Sequence, residues 1–159
     1  MKRLIPGIAL ALAVGAAVAQ PAPRHYVEAG SWVRTDADVE AWYTILSNLR
    51  RNFDDICGDT FCEGDYSNIE PLRFRCSVDE ATGAIGRCVW VFAASNEDVD
   101  ATTGRILVDT RTWRCRVPIA PGTTLPEFLA ALAGDRPLYA RLPRSGDESS
   151  IYEGLIGCL

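Results

Sequence analysis

Between Asp54 and Tyr66 the chain reads Asp-Asp-Ile-Cys-Gly-Asp-Thr-Phe-Cys-Glu-Gly-Asp-Tyr. The carboxylates of Asp54, Asp55, Asp59, Glu63 and Asp65 are thereby crowded around two cysteines and two glycines. Carboxylates this close repel one another unless a cation or an arginine neutralises them. Hard oxygen donors at this density suit Ca²⁺, but the alternating start of an EF-hand loop and its closing Glu are both missing. Glu63 with Asp59 or Asp65 supplies the residue types that a glycan hydrolase uses as acid and base, at a separation that sequence does not set. Nucleophilic chemistry has less to draw on. His25 is the only histidine, and neither a G-x-S-x-G elbow nor a Gly-rich phosphate loop occurs. The expectation is a protein that binds rather than catalyses, without metal or cofactor, with Asp59, Glu63, Asp65 and Tyr66 as candidate binding residues. A carboxylate-dependent cell-wall glycan hydrolase and a Ca-binding exported module stand as the alternatives.

A second set of residues is cationic. Period-two alternation over Leu72 to Val78, Ala84 to Ala94 and Arg105 to Val117 predicts three antiparallel strands. Their apolar side would carry Phe74, Cys76, Val78, Cys88, Trp90, Phe92, Trp113, Cys115 and Val117, and the opposite side Arg73, Arg75, Arg87, Arg114 and Arg116. A guanidinium fork pairs bidentately with carboxylates and phosphates, so Arg73, Arg75 and Arg114 join the candidate binding residues. A bulge between Asp109 and Thr112 would turn the third strand's share of this face away.

The formal net charge is −5, with 16 basic and 21 acidic residues, and Lys2 is the only lysine. Met1 to Ala19 has the form of a secretory leader: Lys2 and Arg3, an apolar run from Leu4 to Val14, then Ala17-Val18-Ala19 before Gln20. That run is shorter than the ~20 residues a membrane span needs. Loss of the leader removes Lys2 and Arg3 and takes the net charge from −5 to −7. Nucleic acid is an unsuitable partner for so acidic a chain. The partner expected is a protein in the cell envelope or outside, as for an inhibitor or immunity-type protein, with no membrane span after cleavage. The localisation expected is periplasmic or secreted.

Six cysteines, Cys57, Cys62, Cys76, Cys88, Cys115 and Cys158, all follow the leader, as in a disulfide framework of an exported domain. Their spacing contains neither a C-x2-C zinc knuckle nor a redox C-x-x-C pair. Sequence does not choose among the possible pairings. The turn between Cys76 and Cys88 favours that pair as cross-strand neighbours, and with it the sequential set Cys57 with Cys62 and Cys115 with Cys158.

These residues need elements to hold them. Thr35 or Asp36 caps a helix whose stripe, Val39, Trp42, Leu46, Leu49 and Phe53, steps by threes and fours, with Arg50 and Arg51 expected in its last turn. Val78-Asp79-Glu80-Ala81-Thr82-Gly83-Ala84-Ile85 and Val99-Asp100-Ala101-Thr102-Thr103-Gly104-Arg105-Ile106 share the pattern V-D-x-x-T-G-x-I and predict two hairpin turns. Thr124 to Glu127 is a capping box with Pro126 in the first turn, opening a helix to about Ala133 that Gly134 ends. Ser145-Gly146-Asp147 reads as a turn, and a last short helix through Ile151 and Ile156 returns Cys158 to the core. The organisation expected is a leader at 1–19, a mobile lead-in at 20–34 and one α+β domain at 35–159. That domain has an N-terminal amphipathic helix, a meander of about three strands and two shorter C-terminal helices.

Overall fold

The structure is a computed structural model that describes residues 23–145 and 149–159. The segment expected as a leader, and Gly146 and Asp147 of the expected turn, lie outside the described residues. The fold is α+β: β1 (Tyr26–Glu28), α1 (Ala29–Trp32), α2 (Asp36–Ile56), β2 (Glu70–Asp79), β3 (Ile85–Val99), β4 (Ile106–Arg116), α3 (Leu125–Ala131) and α4 (Ile151–Ile156). The strands form one antiparallel sheet in the order β1-β2-β3-β4.

The expected meander gains a fourth strand. Within the segment expected as a loose lead-in, Tyr26, Val27 and Glu28 pair with Asp79, Val78 and Ser77, and Ala29 and Val33 are buried. Glu28 then caps α1 by accepting from the Gly30 amide at 2.8 Å. Three residues are too few for a hydrophobic period to show, so this strand exists only through its partner.

Thr35 caps α2, its hydroxyl accepting from the Asp38 amide at 3.1 Å. Trp42, Ile45, Leu49 and Phe53 of that helix are buried against the sheet, while Val39 and Leu46 lie at its margin. Arg50 and Arg51 sit in mid-helix rather than in the last turn, because α2 continues to Ile56 and runs on into a wide π-type turn, Cys57–Phe61. Phe53 is fully buried, 4.8 Å from the Phe92 ring and 5.7 Å from Trp90. Covering a side chain of that size stabilises the fold by about 2–3 kcal/mol. Asn48 and Asn52, one turn apart, donate to the Gly134 and Asp135 carbonyls at 3.2 Å each, tying α2 to the chain beyond α3.

Both repeated turns form alike. Asp79 Oδ1 accepts from the amides of Ala81 and Thr82, and Asp100 Oδ1 from those of Thr102 and Thr103. Gly83 and Gly104 close them at φ +71° and +68°. These donors hold the Asp79 carboxyl below its ordinary value, chiefly through Thr82, and the Asp100 carboxyl likewise through Thr103. The capping box at Thr124 is complete, with the Thr124 amide 2.8 Å from Glu127 Oε2. Its helix stops at Ala131, two residues before the expected Ala133.

The disulfides pair in sequence, Cys57 with Cys62, Cys76 with Cys88, and Cys115 with Cys158. Cys76 stands directly opposite Cys88 across β2 and β3. Cys158, just past α4, pins that helix to β4. Three disulfides fit an oxidising compartment. Among the described residues no helix is long and apolar enough to cross a membrane.

Candidate functional site

Among the described residues one side of the sheet is buried in the core. Phe74, Cys76, Val78, Cys88, Trp90, Phe92, Trp113, Cys115 and Val117 are all buried on that side, the set that alternation predicts. The register across the other face is Arg73–Val91–Arg114 in one row and Arg75–Val89–Arg116 in the next, with Arg87 opposite Ser77. No bulge interrupts the third strand between Asp109 and Thr112. β4 runs in unbroken register with β3, and the irregularities lie in β2, between Pro71 and Arg73 and between Ser77 and Val78. Arg114 and Arg116 therefore keep their places. All five arginines are exposed, and among the described residues none of them makes an ion pair. Half-buried Val89 and Val91 lie between the two arginine columns.

β1 occupies only the Ser77–Asp79 end of the outer edge of β2. Below it, β2 and α2 enclose a cleft of about 380 Å³ that Tyr43, Leu46, Arg50, Leu72, Arg73 and Arg75 help to line. Tyr43 and Leu72 are among the large apolar side chains left exposed, at 59% and 56%. Arg50 reaches Glu70 at 3.6 Å, with both groups well exposed. Arg73 and Arg75 thus belong both to the arginine face and to the cleft. Tyr43, Leu46 and Arg50 were not among the sequence candidates, because a helix position borders a cleft only once the helix is docked.

The acidic segment spans the end of α2 and the turn after it. Asp54 and Asp55 end α2, Asp59 lies in the turn closed by Cys57 and Cys62, and Glu63 and Asp65 are exposed beyond it. The side chain of Asp59 lies outside the described residues. Among the described residues no three His, Cys, Asp or Glu side chains are placed to hold a metal ion together.

Tyr66 follows Asp65 and packs on β4. Its hydroxyl donates to Asp109, its ring meets Trp113 edge-on at 5.6 Å, and the Arg111 guanidinium lies 5.1 Å above the Trp113 ring. The bond to Asp109 favours the neutral phenol and raises the Tyr66 pKa, with smaller contributions in the same direction from desolvation and the Asp109 charge. The candidates therefore form two separate groups: Arg73, Arg75 and Arg114 on the open face, and Tyr66 on the helix-covered side near Asp109, with Glu63 and Asp65 exposed before it. No protein-family model, curated protein or solved structure matches this chain.

Proposed function

We propose that this is an exported protein, periplasmic or secreted, that works by binding an acidic protein partner on the arginine face and the adjoining cleft. The observation that carries the reading is the two arginine-valine-arginine rows. They are exposed and unpaired among the described residues of a chain with a net charge of −5. A cationic patch on an acidic protein steers an anionic partner to one face and repels it elsewhere. Planar guanidinium groups then form paired, charge-assisted hydrogen bonds with carboxylates. The cleft beside Arg73 and Arg75 offers Tyr43, Leu46 and Leu72 to an apolar side chain of the same partner. If the partner is an envelope hydrolase, the role is that of an inhibitor or immunity-type protein.

The test is capture of partners from envelope extract, followed by affinity measurement for each. Arg73→Glu with Arg75→Glu and Arg114→Glu should abolish capture, and rising salt should weaken it in the unmodified protein. Asp59→Lys with Glu63→Lys and Asp65→Lys should leave it intact. Retention by the arginine variant, with loss in the acidic-loop variant, would move the site to residues 54–66.

A further inference from the structure

β3 and β4 continue past the helices as an arm. In β3 burial stops at Ala94, and from Asn96 to Val99 its residues are exposed. Ile106 to Thr112 of β4 are all exposed, with Val99, Ile106 and Val108 each more than half open to solvent and Leu107 close to half. β4 is also the last strand of the sheet, so among the described residues its outer edge has no strand partner.

The direction of its free hydrogen-bonding groups follows from the two ends of the hairpin. The Asp100 amide donates to the Arg105 carbonyl at 2.9 Å, and the Val117 amide to the Cys88 carbonyl at 3.1 Å. Bonded pairs alternate along an antiparallel ladder, so Leu107, Asp109, Arg111, Trp113 and Cys115 bond to β3. The main-chain groups of Ile106, Val108, Thr110, Thr112 and Arg114 point outward. Proteins usually protect such an edge with proline, lysine, a bulge or a covering loop. From Ile106 to Arg114 there is no proline and no lysine, and the register with β3 has no bulge; α4 lies against the edge only at the Arg116 carbonyl.

We infer that the outer edge of β4 pairs with β4 of a second copy of this chain, antiparallel and centred on Thr110. Two-fold symmetry then sets Thr110 opposite the partner's Thr110, Val108 opposite the partner's Thr112, and Ile106 opposite the partner's Arg114. These are the outward-facing residues, and together they would give about ten main-chain hydrogen bonds. Charge selects this centre over its neighbours. It puts Asp109 opposite the partner's Arg111 on both sides of the axis, whereas centring on Asp109 or on Arg111 sets like charges against each other. Both groups are available. Tyr66 bonds only Oδ2 of Asp109, and Arg111 stacks on Trp113 without spending a hydrogen bond on any described residue. The product is one continuous sheet of eight strands, with both arginine faces on the same side.

Sedimentation of the disulfide-intact protein across a concentration series tests this. The expected result is a mass that doubles with concentration. Thr110→Pro should remove the dimer without unfolding the monomer, since the Thr110 amide faces outward, and Val108→Pro repeats the test at a second outward amide. Asp109→Arg should weaken association by about tenfold, by turning both cross-pairs repulsive. Adding Arg111→Asp should restore it. A chain that stays monomeric throughout, a dimer that survives both proline variants with unchanged melting temperature, or a swapped pair no tighter than the single variant would each overturn the inference.

Discussion

The two repeated turns are a built-in control for what a single methyl group does at Gly83. Both turns place glycine in the left-handed region, at φ +71° for Gly83 and +68° for Gly104. A Cβ on Gly104 would meet nothing within 4 Å, whereas on Gly83 it would lie 2.8 Å from Cζ2 and 3.1 Å from Cη2 of Trp32. That indole cannot simply swing away, because its Nε1 donates to the Glu80 carbonyl at 3.3 Å, and the Gly83 carbonyl is itself held by the Leu125 amide at 2.9 Å. Gly104→Ala should therefore cost only the left-handed backbone penalty, about 1–2 kcal/mol. Gly83→Ala should cost the same plus overpacking against the ring, about 1–3 kcal/mol more. At about 4 °C per kcal/mol for a domain of this size, the two variants should melt several degrees apart. Thermal unfolding followed by near-ultraviolet circular dichroism reads the difference. In a Trp32→Ala background the Gly83→Ala penalty should fall to that of Gly104→Ala, which a double-mutant cycle measures. Equal costs in the native background would refute the reasoning, because the contact with Trp32 would then be worth nothing.

Paired Cys→Ala replacement should destabilise in the order of loop length, which is 43, 12 and 5 residues of separation for Cys115–Cys158, Cys76–Cys88 and Cys57–Cys62. The closure terms are about 4, 3 and 2 kcal/mol respectively, and urea unfolding ranks them; an inverted order would mean that local packing outweighs chain entropy. Glu127 gives the pH dependence. Its carboxyl is lowered to about 2, first by the Arg144 guanidinium and then by the Thr124 amide, so its stabilising effect is complete above its ordinary value of 4.5 and disappears as pH falls through about 2. Glu127→Gln should accordingly be less stable than the unmodified protein at neutral pH, and the gap in urea midpoint should close on acidification. A gap that does not change with pH would show that the charge of Glu127 is not what matters.

Much of the architecture was legible because its signals are local. The alternation about Cys76, Cys88, Trp90 and Cys115 sorted the two faces, and the shared V-D-x-x-T-G-x-I pattern located both turns. The cysteine pairing followed from the first hairpin, since Cys76 and Cys88 flank its turn. What escaped were features made only by tertiary contact. β1 is three residues long and is ordered by its pairing with Ser77 to Asp79. The continuation of β3 from Ser95 to Val99 is polar and largely exposed, so it carries no burial period. Of the candidate site, the arginine rows were readable because strand side chains alternate strictly. The cleft was not, since it needs α2 laid beside the free part of β2. Tyr66 was grouped with the acidic loop by proximity in sequence, and its contacts with Trp113, through the ring, and Asp109, through the hydroxyl, needed β4 in place.

The covalent links never overlap: the six cysteines bond as three consecutive pairs along the chain. A chain that enters an oxidising compartment N-terminus first therefore reaches its native set by pairing thiols in order of emergence. Cys57 meets Cys62 before Cys76 arrives, and the hairpin is closed by Cys88 well before Cys115 appears. Such a chain can mature with an oxidant alone, without the thiol–disulfide reshuffling that nested or crossed linkages demand.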